Sequence, residues 1–215
     1  MTIRLPDALR TVTITPDYTD APLASVLICC GDTRVLCTTS VDERVPPFRL
    51  ASGGGWLTAE YAMLPGATPR RTQRASKRGR PDGRSTEIQR LIGRSLRTAF
   101  DLDGLGPRTL TIDCDVLQAD GGTRTAAITG GYVSARIAVE RLIASGLATP
   151  EAVGDGIAAV SVGIVGGVPT LDLDYVLDSS ADVDMNVVIA GRGDLVEVQG
   201  TAEKATFTRR ELDAL

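Results

Sequence analysis

The stretch TLTIDCDVLQADGGTRTAAITGGYVSARIAVERLIASG, residues 109–146, decides the architecture because two periodicities meet in it. Leu110, Ile112, Cys114 and Val116 alternate with Thr111, Asp113 and Asp115, the two-residue period of a strand with one buried face. From about Thr125 to Ser145 the chain is apolar and free of Pro, which predicts a long helix, and Gly146 is placed to cap its C-terminus. Between the two, Ala119-Asp120-Gly121-Gly122-Thr123-Arg124 has to turn a strand into a helix. Two glycines let backbone amides approach a ligand closely, and a helix N-terminus offers unpaired N–H groups and a positive dipole end. Thr123 adds a hydroxyl donor and Arg124 a fork that fits two phosphate oxygens. Spacing alone leaves an ordinary strand–helix turn with a surface arginine equally open.

Outward from this segment the pattern stays mixed. Val12 and Ile14 read as a short strand, and Ser25–Cys30 and Thr33–Val41 as a hairpin around Gly31-Asp32. A strand over Trp56–Leu64 leads into a Pro-, Gly- and Arg-rich loop from Pro65 to Arg84. Thr86 and Gln89 have the spacing of a capping box, and Ile88, Leu91, Ile92, Ala99 and Leu102 follow at helical spacing, with Arg90, Arg94 and Arg97 opposite. That arginine stripe reads as a solvated face or as a contact with RNA or another subunit. Beyond Gly146, hairpins are expected at Gly166-Gly167 and Gly191-Arg192-Gly193. Thr208 and Glu211 announce a last helix of about two turns, too short to stand without a neighbour. With neither repeat nor linker, residues 1–215 are expected to form one α+β domain around two main helices.

The chain contains no histidine, which excludes Ser-His-Asp and Cys-His nucleophile systems and imidazole metal sites. Cys29, Cys30, Cys37 and Cys114 form no C-x-x-C pair, lie in strand-like runs and read as small buried hydrophobes. No apolar run reaches the ~20 residues of a membrane span, and no signal peptide is visible, so the protein is expected in the cytoplasm. The net charge of −4 is unevenly spread. Ten basic residues between Arg70 and Arg97 face only Asp82 and Glu87, a block suited to a polyanion or to a solvated loop. Leu171–Asn186 holds five Asp (172, 174, 178, 182 and 184) and no Lys or Arg. Clustered carboxylates without histidine suit Mg²⁺ or Mn²⁺, or simply a polar turn. Together, a phosphate cradle, an acidic cluster and a basic loop point to phosphoryl or nucleotidyl transfer on a nucleic acid. Inorganic phosphate is already anionic near neutral pH, so a phosphorolytic enzyme needs positioning and charge neutralisation more than a general base.

The stretches GDTRVLCTTSV, GWLTAEYAMLP, EIQRLIGRSLR, TIDCDVLQADGGTRTAAITG, AAVSVGIV, DLDY, DSSADVDMNVV and EVQGTAE closely resemble the ribonuclease PH family, in that family's order and over nearly the whole chain. The resemblance implies the βαβ-built fold shared with polynucleotide phosphorylase and exosome ring subunits, and a homohexamer arranged as a trimer of dimers. It implies phosphate-dependent 3′→5′ shortening of RNA, tRNA precursors in particular and rRNA processing more widely, with release of nucleoside diphosphates. The same site would run in reverse as a nucleotidyltransferase. By position, Arg84, Gly122, Thr123 and Arg124 match the family's phosphate-binding residues, and Asp178 and Asp184 its catalytic, Mg²⁺-associated acidic pair. Arg70, Arg71, Arg74, Lys77 and Arg78 stand in the basic, RNA-binding loop.

Some positions depart from the pattern. The N-terminus is shorter and lacks the family's arginine-containing opening, SGGG precedes Trp56, Ala62 and Gly66 replace Gly and Arg, and the Pro69–Pro81 loop has diverged. The sequence stops at Leu215, where the family continues through a further C-terminal helix. Polynucleotide phosphorylase itself is excluded, since two such domains and their RNA-binding modules need a longer chain. The rival reading is a non-catalytic ring subunit that holds RNA without cutting it. Such subunits lose the arginines or the acidic pair, which this chain keeps.

Overall fold

The structure, a computed structural model, describes residues 4–74, 83–202 and 206–215. Nine strands form two sheets. The first contains β1 (Val12–Pro16), β2 (Ala24–Cys30), β3 (Thr33–Asp42), β4 (Trp56–Met63) and β5 (Thr109–Gln118), ordered β1-β2-β3-β5-β4. Its pairs are antiparallel except β4 with β5, which run parallel, with α1 (Gly83–Arg97) between them in the chain. A parallel neighbour needs such a crossover, whereas β2 and β3 close through the two-residue turn Gly31-Asp32. The second sheet, β6 (Ile157–Val165), β7 (Val168–Leu171), β8 (Val183–Ala190) and β9 (Leu195–Ala202), is antiparallel throughout in the order β7-β6-β8-β9.

The central helix α2 (Thr123–Ala144) lies between the sheets, packed on β2, β3 and β5 on one side and on β6 on the other. That position explains its composition: a helix covered on both faces has no need of a polar stripe. One apolar cluster joins Ile28, Cys37 and Ile112 of the first sheet, Ile88 and Leu96 of α1, Ile128 and Val139 of α2, and Ile157 and Val188 of the second sheet. A smaller cluster on the far face of the second sheet (Val162, Met185 and Val187) receives Phe207, Leu212 and Leu215. The last two flank or belong to α4 (Arg209–Ala214), which has the full Thr208/Glu211 capping box. The expected short helix is therefore held by a neighbour.

Several details differ from the sequence reading. The helix α1 begins at Gly83, so Thr86 sits inside it; no Pro interrupts 83–85, and a capping pattern permits a start without enforcing one. The helix α2 begins two residues early, which makes Thr123 and Arg124 its first two residues. The arginine stripe of α1 is largely committed within the chain. Arg94 pairs with Glu197 at 2.5 Å, and Arg97 lies 4.7 Å over the Trp56 ring while donating to the Leu57 carbonyl. All four cysteines are free, with Cys37 and Cys114 directly opposed and buried and Cys29 and Cys30 partly so.

The C-terminus of α2 ends as expected. Gly146 has φ +69°, its N–H donates to the Ile143 carbonyl, and the Leu147 N–H donates to that of Leu142, a Schellman arrangement. At mid-helix, Gly130 lets α2 touch the first sheet. A Cβ there would stand 2.6 Å from Cγ2 of Ile28 and 2.9 Å from Sγ of Cys37. Ile28 is β-branched and fully buried, so it has little room to yield. Gly130→Val is expected to lower unfolding free energy by about 2–3 kcal/mol through overpacking, measured by urea titration. An unchanged midpoint would mean that the helix and sheet are less closely apposed.

Candidate active site

The turn between β5 and α2 is built so that only glycine fits its centre. Gly121 and Gly122 have φ of +75° and +64°, a region side chains rarely adopt. A Cβ on Gly121 would also lie 2.5 Å from the Leu173 carbonyl oxygen. Thr33 secures the turn from the neighbouring hairpin, its hydroxyl donating to the Gly121 carbonyl at 2.7 Å and accepting from the Asp120 N–H at 2.9 Å. Gly122 is the N-cap of α2 and has no side chain with which to occupy the helix's free amides. Those amides, Thr123 and Arg124 form a ready anion cradle.

Partners far away in sequence orient both side chains. The hydroxyl of Tyr61, a buried residue of β4, donates to Oγ1 of Thr123 at 2.9 Å. Burial pushes the Tyr61 pKa up, against that hydrogen bond and the nearby charges of Arg84 and Arg124, so the phenol stays protonated and remains a donor. Thr123, having accepted, is free to donate its own proton. Arg124 donates to Oε1 of Gln199 at 2.8 Å and lies 3.7 Å from Glu87; Gln199 in turn donates to Glu87 at 3.1 Å. A strand of the second sheet and α1 thus fix the guanidinium from two directions.

A cavity of about 420 Å³ opens on this turn. Arg84, Gly121, Gly122, Thr123 and Arg124 line it together with Asp178, Asp184, Ser161, Asn186, Tyr175 and Thr68. Asp178 sits on α3 (Tyr175–Ser180), and Asp184 near the start of β8, opposite Gly163 of β6. The structure therefore brings together all six residues assigned to phosphate, catalysis and metal. Among the described residues no three His, Cys, Asp or Glu side chains gather into a metal cage. Two carboxylates with amide and hydroxyl oxygens nearby do fit Mg²⁺, which is usually held by one or two carboxylates plus substrate phosphates and water.

The other three Asp of the acidic run have different work. Asp174 caps α3, accepting from the N–H groups of Val176 and Leu177. Asp182 precedes β8 outside the cavity lining, its N–H donating to the Ile164 carbonyl. Asp172, in left-handed backbone at φ +57°, is buried against Arg10. Arg10 donates to its two carboxylate oxygens at 2.6 and 3.0 Å, and the Arg10 backbone N–H adds a third bond at 2.8 Å. Another Arg10 nitrogen donates to the Asp120 carbonyl, at the entrance of the glycine turn. Arg4 adds bonds to the Asp172 carboxylate and carbonyl. The N-terminal segment thus contributes two arginines to the fold.

The basic loop divides. Arg70, Arg71 and Arg74 are exposed, and the first two line an adjoining cavity of about 640 Å³; Lys77 and Arg78 lie outside the described residues. The loop's base is fixed, because the Ala119 N–H donates to the Ala67 carbonyl and the Thr72 N–H to that of Pro65. Sequence reasoning missed Arg10, Tyr61, Glu87 and Gln199 as site residues. Tyr61 and Gln199 fall in quoted family stretches, but no local spacing marks their roles.

With the geometry in place, comparison with known proteins defines the class. Residues 8–138 match domain 1 of the 3′ exoribonuclease family, and residues 155–215 match its domain 2. Over 209 residues the chain is 56% identical to Ribonuclease PH of Syntrophomonas wolfei, spanning 97% of this chain and 87% of that relative. The chain belongs to the 3′ exoribonuclease family and, within it, to the ribonuclease PH group. Solved structures share the fold at low identity. The Archaeoglobus fulgidus exosome with RNA bound to the active site has TM-score 0.81 and 22% identity, covering 98% of this chain and 84% of that one. Rice (Oryza sativa) Rrp46 has TM-score 0.78 and 14% identity, covering 98% and 88%. No helix among the described residues is long and apolar enough to cross a membrane.

The Arg10–Asp172 pair sets an acid limit on stability. Burial alone would raise the Asp172 pKa, but the hydrogen bonds and charge of Arg10, with the charge of Arg4, carry it below the ordinary carboxylate value. A lowered folded-state pKa gives stability that is present above the unfolded value and lost as pH falls through the folded one. Arg10 itself is shifted upward and does not titrate in this range. Asp172→Asn is expected to cost about 3 kcal/mol at pH 7, since it leaves a buried cation without its partner. That difference should shrink as pH falls below about 4. Urea unfolding across pH measures it, and a pH-independent difference would assign the loss to packing.

Proposed function

We propose that this cavity performs phosphorolysis of RNA from the 3′ end, and that one observation carries the reading: Arg84, Gly122, Thr123, Arg124, Asp178 and Asp184 line a single cavity. The chain is a phosphorolytic 3′→5′ exoribonuclease. Inorganic phosphate rests against the glycine turn, held by α2 amides, the Thr123 hydroxyl and the two arginines. Its oxygen attacks the phosphorus of the last phosphodiester in line with the departing 3′ oxygen. The bond to that oxygen breaks, a nucleoside diphosphate leaves, and the RNA is one nucleotide shorter. One of the two Asp passes to the 3′ oxygen the proton that hydrogen phosphate gives up as it becomes the outer phosphate of the diphosphate. Asp178 and Asp184 would hold Mg²⁺, or Mn²⁺ in its place, and such an ion would supply positive charge beside the phosphoryl oxygens.

Finer features rest on the sequence resemblance. The substrates are 3′-extended tRNA precursors, with rRNA as a wider class, and the assembly is a homohexamer arranged as a trimer of dimers. The protein works in the cytoplasm, and nucleoside diphosphates drive the same site backwards as a nucleotidyltransferase. Arg70, Arg71 and Arg74 of the described loop, with Lys77 and Arg78 beyond it, draw in the RNA backbone.

The deciding assay incubates a tRNA bearing extra 3′ nucleotides with Mg²⁺, with and without phosphate. Phosphate-dependent shortening with nucleoside diphosphate release is expected; monophosphates formed without phosphate would mean hydrolysis, and bound but uncut RNA would favour the structural-subunit reading. Arg124→Ala is expected to raise the KM for phosphate at least tenfold, the size of a lost charge-assisted hydrogen bond at about 1.5–3 kcal/mol. Gln199→Ala, which only loosens Arg124, should raise it by less. Unchanged phosphate dependence in Arg124→Ala would overturn the assignment of the cradle.

A further inference from the structure

The phosphate cavity does not end at the acidic side. The second cavity, lined by Thr68, Pro69, Arg70, Arg71, Asp120 and Tyr175 among others, shares Thr68, Ala119 and Tyr175 with the first. Tyr175 is therefore the aromatic residue at their junction. The residue is 65% exposed, although it stands three residues before Asp178 in a helix otherwise fixed by the Asp174 cap. A large aromatic ring left in water at the rim of a reactive site gains nothing for the fold; it gains when a flat partner covers it.

The chemistry of the first cavity names that partner. With phosphate at the glycine turn, the last phosphodiester of the RNA must lie beside it, and the upstream nucleotides need a way out. The shared edge opens onto a cavity of about 640 Å³, within the range of small-molecule sites, where the exposed cations Arg70 and Arg71 can meet backbone phosphates. A single strand leaving by this route passes its bases over Tyr175. We propose that the Tyr175 ring is a nucleobase-stacking subsite for single-stranded RNA close to the 3′ end, with Arg70 and Arg71 on the neighbouring phosphates. The inference rests on the exoribonuclease reading and adds the path of the strand. Every base has a π-face, so such a platform holds the strand without selecting sequence, as stepwise shortening requires.

The test uses a short 5′-labelled oligoadenylate and a set of copies carrying one abasic residue at successive positions from the 3′ end. Binding is read by fluorescence anisotropy without phosphate, so that no phosphorolysis occurs, and phosphate-dependent release of diphosphate is measured separately. Tyr175→Ala is expected to weaken binding of the intact strand about tenfold, while Tyr175→Phe, which keeps the ring, binds like the wild type. In the wild type one abasic position near the 3′ end should cost the same factor, and in Tyr175→Ala that position should cost nothing further. The KM for phosphate should be unchanged in both variants. Wild-type affinity in Tyr175→Ala, or equal weakening at every abasic position, would overturn the stacking subsite. Loss of phosphate dependence in the wild-type assay would instead strike the phosphorolytic reading, since the binding data stand apart from turnover.

Discussion

The pair between Arg10 and Asp172 joins the end of the second sheet to the glycine turn that follows the first. Asp172 follows β7 at one end of the second sheet, and Asp120 follows β5 at the end of the first. Arg10 grips the carboxylate of one and the carbonyl of the other, and Asp172 is immediately followed by the segment that packs on Gly121 and leads to Asp178. The phosphate-binding side and the acidic side of the cavity are thus referred to one buried guanidinium. A buried ion pair is a poor source of net stability, because its desolvation cost rivals its attraction, yet breaking it is expensive. That asymmetry suits a geometric reference: the two sides of the site hold their separation because any departure strands a charge.

The same logic accounts for the division of arginines. From composition alone, the basic block from Arg70 to Arg97 looks like one polyanion-binding surface. In the fold it separates into distinct functions. Arg94 and Arg97 are consumed by Glu197, Trp56 and the Leu57 carbonyl, and so help fasten α1 to both sheets. Arg84 faces the phosphate cavity from the start of the same helix, while Arg70 and Arg71 stay exposed on the loop. Charge density in a sequence identifies a basic region; which cations remain for a ligand depends on the acids and carbonyls that tertiary structure brings to them.

What was legible in the sequence follows the range of the interaction concerned. Strand alternation in 109–118, the glycine pair at 121–122 and the Gly146 cap are local signals, and each landed within two residues. The two glycine-containing hairpins of the second sheet were legible for the same reason. The start of α1 was misplaced because a capping pattern at Thr86 lies within a segment that can also be helical. The acidic run was read as one cluster, although only Asp178 and Asp184 reach the cavity. Asp172 and Asp174 are drawn away by an arginine 162 residues distant and by a helix end, and a one-dimensional pattern carries neither fact. Tyr61 and Gln199 were invisible for the same reason: their value lies in touching Thr123 and Arg124 across sheets.

A site without histidine can still manage protons if every donor is set in advance. Tyr61 illustrates how. Its phenol is kept protonated by burial, and it has one acceptor, Thr123, which then has its own hydrogen to give. That short chain runs from the Tyr61 hydroxyl through Thr123 to the cavity. Arg124 is set in the same manner, its charge permanent and its orientation imposed by Gln199 and Glu87. Such donors spend little energy reorganising when an anion arrives, which is the condition under which fixed hydrogen-bond donors contribute most to a charged transition state. With a nucleophile already ionised in solution, fixed donors are what the chemistry chiefly needs, and this fold supplies them from Thr123 and Arg124, set in place by Tyr61, Gln199 and Glu87, around a turn that only two glycines can make.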